Sequence, residues 1–337
     1  KGFKSNFLWI YFLEMMFWKN KKVLVTGADG FIASHLTERL IDVGAKVSVI
    51  IRGTSKSGTN KNIFHNVRKN YVKKIKNVIS CDISSTDVIN HIVKLKPDFI
   101  FHLAASAYVP YSFDHPLEVN EANVIGTLNI LEATKLLPNL KKIVCTSSSE
   151  VYGSALTKSI NEDHPLNPTS PYAASKVAAD RYCYSYIKTY NLPLTIIRPF
   201  NTYGPRHTYD VVPKFIKMAL SNSDITVHGN GKQSRDLTYV SDAVEAFLKV
   251  GASRKTNQKV INFGTGKHHN IIFLAKTIKK LSKSKSKIIF INQRKAEVQR
   301  LTCDASLCKK LTGWKPKMNI REGLQKNIEW AKKNWIV

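Results

Sequence analysis

Tyr172 and Lys176 are the residues whose types and spacing point most directly to chemistry. They lie four residues apart in the segment Ser-Pro-Tyr-Ala-Ala-Ser-Lys, so on a helix both side chains would share one face. The ammonium can hold the phenol partly ionised, and a phenolate can take the proton from a substrate hydroxyl. The carbon that bears this hydroxyl can then give up hydride. The pair therefore predicts redox chemistry at a carbinol carbon.

A glycine-rich segment at 26–35 offers a place for the hydride acceptor. Gly27 and Gly30 allow a tight turn and a close approach of the backbone, so the next helix can direct its N-terminal amides at a pyrophosphate. Ala33 stands where such turns usually have a third glycine, which is a conservative departure. The segment follows an apolar run and precedes a helical pattern, and this context predicts a nicotinamide dinucleotide site.

The residue after the second predicted strand bears on which dinucleotide is bound. Sites for NAD usually carry an acid here, which binds the ribose 2′-hydroxyl. This sequence has Arg52 instead, which could receive a 2′-phosphate. We therefore expect NAD(P) with NADP favoured, and no metal. The alternative is that Arg52 stacks on adenine or faces solvent.

A glutamate follows the fifth predicted strand, at the strand end where doubly wound folds place ligands. Residues 146–153 have the sequence Thr-Ser-Ser-Ser-Glu-Val-Tyr-Gly. Glu150, beside the hydroxyls of Ser148 and Ser149 and near Tyr172, could remove a carbon-bound proton. A loop glutamate is otherwise simply solvated, and the residues alone leave that alternative open.

The elements that must position these residues alternate between strand and helix. Continuous apolar runs predict strands at 23–26, 46–51, 76–80, 98–105, 142–147 and 194–198. Helical patterns lie between them, at 31–43, at 120–135 and around Tyr172. Strands that are apolar on both faces indicate a parallel sheet covered on both sides. We therefore predict an α/β fold with a Rossmann-type doubly wound sheet and a smaller C-terminal substrate-binding lobe.

The predicted division of the chain has three parts. Residues 1–20 form an N-terminal extension, and 21–198 form the NAD(P)-binding domain with the catalytic Tyr and Lys. Residues 199–337 are mainly the substrate-binding lobe, with segments near 236–265 returning to the first domain. The apolar run at 7–13 is too short to span a bilayer, although a cleaved signal has an apolar stretch of about this length. We expect translation to start at Met15 or Met16.

Composition limits the classes of partner. The 337 residues carry a net charge of +28, but the lysines are scattered and no nucleic-acid motif is present. We therefore expect a solvated lysine-rich surface and neither a specific nucleic acid nor a membrane as partner. The five cysteines show no paired or zinc-binding spacing, which favours reduced thiols in a cytoplasmic protein.

Seven segments together carry a family resemblance that runs from about residue 21 to the C-terminus. The chain resembles the extended short-chain dehydrogenases/reductases that act on nucleotide sugars, the NAD-dependent epimerase/dehydratase family, and is similar to GDP-mannose 4,6-dehydratases. The segments are 27–33, 102–105, 148–153, 172–176, 198–206, 229–236 and 294–298.

The resemblance implies a role for each matching position. Tyr172 would be the base for the sugar 4-hydroxyl, Lys176 its electrostatic and ribose-binding partner, and Ser148 a hydrogen-bond partner of the same hydroxyl. The other implied catalytic residues are Ser149 and Glu150. The implied cofactor contacts, besides Tyr172 and Lys176, are Gly27, Asp29, Gly30, Phe31, Ile32, Arg52, Asp82, Ile83, Leu103, Ala104 and Ala105. The implied substrate contacts are Asn201, Arg206, Arg235 and Arg294, where an arginine fork suits phosphate.

The resemblance leaves several reactions open. In sugar 4,6-dehydratases the glutamate before Val-Tyr-Gly removes the C5 proton, and Glu150 matches it. Ser149 stands where many of them have an aspartate; it could only relay a proton, and Glu150 could do both jobs. We favour 4,6-dehydration of a nucleoside-diphosphate hexose, with 4-epimerase second and UDP-glucuronate decarboxylase third. A non-catalytic NAD(P)-binding scaffold is the alternative of another class. The family also implies a homodimer through the helices at 120–135 and 172–190.

Overall fold

The computed structural model describes residues 15–53, 64–294 and 296–335, so only 15–20 of the predicted N-terminal extension lie within it. The helices are α1 (Phe31–Asp42), α2 (Lys69–Val72), α3 (Asp87–Leu95), α4 (Tyr111–Asp114), α5 (Pro116–Asn120), α6 (Gly126–Lys135), α7 (Pro171–Tyr190), α8 (Val211–Leu220), α9 (Val240–Ala252), α10 (Ile271–Ser282), α11 (Ser306–Thr312) and α12 (Ile320–Asn334).

A seven-stranded parallel sheet in the order β3-β2-β1-β4-β5-β6-β11 forms the centre of the first lobe. Its strands are β1 (Lys22–Thr26), β2 (Lys46–Ile51), β3 (Asn77–Ser80), β4 (Phe99–His102), β5 (Lys142–Thr146), β6 (Leu194–Pro199) and β11 (Val260–Phe263). The predicted Rossmann-type parallel sheet is confirmed. Strand β4 ends at His102 rather than at residue 105, and the buried His102 side chain hydrogen-bonds Thr26 Oγ1 at 2.8 Å and Thr127 Oγ1 at 3.1 Å.

Two apolar cores explain why the strands are apolar on both faces. On one face α1 and α9 cover the sheet, with Leu36 and Phe247 fully buried. On the other face α3, α6 and α7 pack, with Ile130 and Ile187 among the buried side chains. Each fully buried large aliphatic or aromatic side chain contributes roughly 1.5–3 kcal/mol, so this double layer stabilises most of the lobe.

The second lobe has its own core of α8, α10 and α12, where Phe215, Leu274 and Leu324 are buried. Short strand pairs complete it. These are β7 (Thr202–Tyr203) with β10 (Thr238–Tyr239), β8 (Ile225–His228) with β13 (Ile288–Ile291), and β9 (Ser234–Asp236) with β12 (His268–Asn270). Because α9 and β11 lie against the first lobe, the chain crosses between lobes more than once.

The predicted helix at 120–135 is interrupted by a π-helical turn, Glu121–Ile125, between α5 and α6. Gly126 follows this turn because a Cβ there would lie 2.6 Å from Ile83 Cδ1. Within the turn, the Asn123 amide donates to Ser175 Oγ on α7 at 2.9 Å and also to the Ser106 carbonyl. The π turn therefore fixes the catalytic helix against the loop after β4.

Among 15–53, 64–294 and 296–335 no helix is long and apolar enough to cross a membrane. The same part of the chain holds no cluster of His, Cys, Asp or Glu side chains arranged to bind a metal ion.

Candidate active site

Helix α7 presents Tyr172 and Lys176 to the centre of the molecule. Ser170 caps the helix by accepting the Ala173 amide at 3.1 Å, and Pro171 occupies the first turn, where its missing N–H costs nothing. The side chains of Tyr172 and Lys176 are both buried, one helical turn apart on the inner face. Tyr172 and Lys176 therefore lie on one face of a helix, as their spacing predicts.

Burial dominates the ionisation of both groups. It raises the pKa of Tyr172 above its ordinary value, and a hydrogen bond with Ser148 counteracts this only in part. It also lowers the pKa of Lys176 to about 8. The Lys176 ammonium donates to the Thr146 carbonyl at 2.5 Å. The predicted lowering of the phenol pKa by this ammonium is not found: burial raises the pKa of Tyr172, the charges of Glu150 and Asp210 raise it further, and Ser148 is the group that lowers it.

A 3₁₀ turn, Ser149–Tyr152, separates the three predicted residues that precede Val-Tyr-Gly. Ser148 caps the turn by accepting the Glu150 amide at 3.1 Å. Gly153 ends it with φ +65°, and a Cβ there would lie 2.2 Å from the Asn167 carbonyl oxygen. In this geometry Ser148 and Glu150 line the same cavity. Ser149 is buried and does not line it, so its predicted catalytic role lacks access to a substrate.

The Glu150 carboxyl is poised as a base. Among the residues that the structure describes, none donates a hydrogen bond to it. Burial raises its pKa, the charge of Arg235 lowers it in part, and Asp210 and Glu297 raise it further. A carboxyl with a raised pKa and no fixed partner can accept a carbon-bound proton more readily than an ordinary one.

The cavity between the lobes measures about 630 Å³, which suits a small-molecule ligand. Ser148, Glu150, Tyr172, His207 and Asp210 are among its groups that can exchange protons, and the lining also includes Tyr108, Asp114, Tyr203, His228 and Glu297. Asn201 also lines it, and its Oδ1 is buried without a hydrogen-bond partner among the described residues. A buried unpaired carbonyl oxygen is destabilising, so a ligand donor is the expected partner.

Cationic side chains line the same cavity. Arg235 donates to Glu297 at 2.7 Å and to the Val298 carbonyl at 2.7 Å, so its guanidinium is held in place before any ligand binds. Arg294 and Lys214 also face the cavity. Burial lowers the pKa of Lys214, and the nearby Arg294 lowers it further. Two like charges brought together in a cavity are stabilised by a polyanion.

Arg206, a predicted substrate contact, lies elsewhere. Its guanidinium donates to Glu38 at 2.9 Å and to Ser34 Oγ at 3.2 Å, both on α1, and it does not line the cavity. Arg68 donates to the same Glu38 carboxylate. These contacts tie the second lobe to α1.

The glycine turn fits a dinucleotide pyrophosphate. Gly27 has φ +67° and lies so close to the loop after β4 that a Cβ would be 2.7 Å from Ala104 Cα. Gly30 begins α1 without a side-chain cap, and the first turn of α1 contains no acidic residue. The first amides of α1 therefore lack a side-chain acceptor at the positive end of the helix dipole, where an anionic phosphate is stabilised. Gly30 itself is exposed.

The remaining predicted cofactor residues differ in how exposed they are to solvent. Arg52, Asp82 and Ala105 are exposed at the carboxyl ends of the strands, whereas Ile83 is buried. The partly exposed residues are Phe31, Ile32, Leu103 and Ala104. The Asp29 carboxylate already accepts amides of His65 and Asn66, each at 2.8 Å, so it orders the 64–68 loop.

Three residues that the sequence reasoning missed are brought to the site by the loop before α8. His207, Tyr209 and Asp210 follow the motif at 198–206, which was the one signal that could have found them. His207 stacks on Phe31 of the glycine turn, with ring centroids 4.4 Å apart. The loop thereby connects the glycine turn with the cavity.

The family model described as GDP-mannose 4,6 dehydratase matches residues 24–327. The chain belongs to this family. The human dTDP-D-glucose 4,6-dehydratase is 34% identical over 330 residues, covering 94% of this chain and 91% of its own. The predicted family and the prediction of an enzyme are both confirmed.

Solved structures of the family extend the comparison. The UDP-N-acetylglucosamine 4-epimerase from Methanobrevibacter ruminantium, in complex with UDP-N-acetylmuramic acid, is 31% identical with a TM-score of 0.83, covering 94% of this chain and 100% of its own. The Streptomyces venezuelae dTDP-glucose 4,6-dehydratase DesIV (a double mutant), solved with NAD bound, is 27% identical with a TM-score of 0.83, covering 93% and 97%. Proteins similar to this chain thus include both a dehydratase and an epimerase.

Proposed function

We propose that this protein is a nucleoside-diphosphate-hexose 4,6-dehydratase that uses a nicotinamide dinucleotide. The observation that carries the proposal is the Glu150 carboxylate, which faces the cavity beside Ser148 and Tyr172 without a hydrogen-bond donor among the described residues. A 4-epimerase needs no base at C5, because it only returns hydride to the other face of C4. A carboxylate without a protein partner in this position is explained if its function is to remove the C5 proton of the sugar.

The first step uses the buried pair on α7. Tyr172 takes the proton of the sugar 4-hydroxyl, and Ser148, which hydrogen-bonds the phenol, holds the same hydroxyl. When bound, the oxidised nicotinamide supplies the hydride acceptor and a positive charge that favours the phenolate. The Thr146 carbonyl holds the Lys176 ammonium on the inner face of α7.

The second step uses Glu150. The C4 ketone acidifies the C5 proton, Glu150 removes it, and the 6-hydroxyl departs as water. A raised pKa makes Glu150 the stronger base for this task. As hydride is returned to C6 of the resulting C5–C6 double bond, the Glu150 carboxyl can return the proton to C5.

The cationic side of the cavity defines the substrate class. Arg235, Arg294 and Lys214 offer three positive charges within one cavity, and the planar forks of the arginines bind phosphate oxygens in pairs. A nucleoside diphosphate joined to a hexose meets both these charges and the proton-handling groups.

A homodimer is proposed through the predicted helices at 120–135 and 172–190, together with α5, which leads into the first of them. Leu117 is 79% exposed, Ile125 40% and Tyr184 43%, so these helices carry apolar side chains that a partner would cover. Light scattering should give twice the chain mass. A Leu117→Asp variant should shift the protein toward monomer, and a monomeric native protein would contradict the dimer.

The test of the reaction is incubation with a panel of nucleoside-diphosphate hexoses, followed by mass spectrometry. We expect one sugar nucleotide to lose one water, and Glu150→Gln to abolish that loss. Glu329→Gln, which changes an exposed glutamate on α12, is the matched control and should behave as native.

Two other outcomes would reassign the enzyme. An unchanged mass with interconverted C4 epimers would make it a 4-epimerase, a reading favoured by the absence of a cavity-facing acid at Ser149. Loss of carbon dioxide from a UDP-glucuronate substrate would make it a decarboxylase. Bound cofactor with no turnover of any sugar nucleotide would favour the scaffold.

A further inference from the structure

Departure of the 6-hydroxyl needs an acid as well as a base. Glu150 is occupied by the C5 proton in the proposed mechanism, and Ser149 is buried outside the cavity lining. A poor leaving group such as hydroxide must be protonated as its bond to carbon breaks. Glu150 can serve as this acid only by giving up the proton that the proposed mechanism returns to C5; where it keeps that proton, the acid is another group that lines the cavity.

His207 and Asp210 meet in the cavity on the loop between β7 and α8. His207 Nε2 lies 3.2 Å from Asp210 Oδ2, and both residues line the cavity together with Glu150 and Tyr172. The Asp210 carboxylate also raises the pKa of both Glu150 and Tyr172, so its charge reaches both. The pair thus faces the same volume as the two groups that handle the sugar.

The imidazole is held rigidly and one of its nitrogens is left without a partner. The ring of His207 is stacked on Phe31 at an interplanar angle of 2°, and Tyr209 packs edge-on against it at 4.7 Å. His207 is 4% exposed. Its Nδ1 is buried and has no hydrogen-bond partner among the described residues. Such a nitrogen is destabilising unless a ligand supplies the missing contact.

We propose that the His207–Asp210 pair is the general acid that protonates the departing 6-hydroxyl, an inference that rests on the dehydratase proposal. Glu150 takes the C5 proton, and the C5–H electron pair forms the C5–C6 double bond. The C6–O electron pair stays on oxygen, which takes the one proton held by the His207–Asp210 pair by way of the Asp210 carboxylate and leaves as water. The pair, then imidazole and carboxylate, regains a proton from solvent through Asp210, whose side chain is 44% exposed.

The variant Asp210→Asn tests the role without disturbing the fold. Asp210 has φ +72° and ψ −179°, a region that glycine alone adopts readily, and asparagine has the same branching as aspartate, so this backbone strain is unchanged by the substitution. We expect water loss to fall by about a hundredfold or more, the usual contribution of a general acid. Exchange of solvent deuterium into C5 of the recovered substrate should persist, because oxidation at C4 and the action of Glu150 are intact.

A substrate with fluorine in place of the 6-hydroxyl separates the acid from the base. Fluoride leaves without being protonated, so Asp210→Asn should release fluoride within roughly tenfold of the native rate. Glu150→Gln should lose both water and fluoride release. His207→Phe keeps the stack on Phe31 and should show the defect of Asp210→Asn in weaker form. Asp163→Asn, an exposed aspartate outside the cavity lining, is the control.

Three outcomes would overturn the inference. Native-like water loss by Asp210→Asn would show that another group is the acid. Equal loss of water and fluoride release in that variant would show a structural role. If the native protein releases neither water nor fluoride from any sugar nucleotide, the dehydratase proposal fails first and this one falls with it.

Discussion

Asp180 on α7 and Glu150 in the 3₁₀ turn beside that helix are two carboxylates with opposite surroundings. Asp180 is buried on α7 and accepts both arms of Arg198, at 2.8 and 2.9 Å. Burial by itself would raise its pKa, but the hydrogen bonds and charge of Arg198 hold the pKa below its usual range. Glu150 has no such donor among the described residues, and its pKa is raised.

The difference separates charge that holds the fold from charge that awaits a ligand. Arg198 also donates to the Tyr152 hydroxyl at 2.8 Å, which in turn donates to Asn262 at 2.7 Å, so the first network is closed. In a closed network every polar group is paired within the protein, so removal of any member leaves others unpaired and destabilises the fold. An open group is a polar side chain without a protein partner, and it destabilises the fold until a ligand pairs with it. Glu150 and Asn201 belong to the open kind.

Arg198→Met should break the closed network with the largest effect. It leaves Asp180 charged, buried and short of its main partner, so we expect the free energy of unfolding to fall by about 3–5 kcal/mol. Urea denaturation measures this. The double variant Arg198→Met with Asp180→Asn should recover part of the loss. Native-like stability of the single variant would show that the pair contributes nothing.

Neutral replacements of the two carboxylates should act in opposite directions. Asp180→Asn should lower the free energy of unfolding by about 1–3 kcal/mol at neutral pH. Because the folded pKa of Asp180 is depressed, this difference should shrink as the pH falls through that pKa. At pH values above the folded pKa of Glu150, Glu150→Gln should leave the free energy of unfolding unchanged or higher. The reason is that the folded pKa of Glu150 is elevated, so its ionised form is disfavoured in the folded protein. Parallel losses at neutral pH in both variants would remove the contrast.

The pH dependence of elimination should reveal the open carboxylate. Water loss requires ionised Glu150, so the acid limb of kcat should have its midpoint above the ordinary value of 4.5, with a tenfold fall per pH unit below it. Rates of C5 deuterium exchange between pH 4 and 8 measure the limb. A midpoint at or below the ordinary value would mean that Glu150 is solvated in the enzyme.

Arg52→Ala should have the smallest effect and test the coenzyme preference. Arg52 is exposed at the carboxyl end of β2, where it can reach a 2′-phosphate. We expect the Kd for NADP to rise by about five- to tenfold, in line with one exposed charged contact of about 1 kcal/mol, and the Kd for NAD to stay the same. Calorimetric titration with both coenzymes decides it; equal changes would assign Arg52 to adenine or to solvent.

The local features of the chain were readable from its sequence. Strand runs, the turn around Gly27 and the spacing of Tyr172 and Lys176 depend on neighbours within a few residues, so pattern alone predicts them. The contrast between Ser149 and Glu150 was not readable, because a single 3₁₀ turn decides which of two adjacent side chains meets the cavity.

Only the tertiary structure determined which charged side chains are paired within the protein and which remain available to a ligand. Arg206 has the type and motif of a phosphate-binding residue, yet Glu38, 168 positions away along the chain, takes its guanidinium. His207 and Phe31 are equally remote in sequence and stack directly. Sequence patterns determine which side chains each element presents to its surroundings. The packing of the two lobes determines which of those side chains find protein partners and which remain for a ligand.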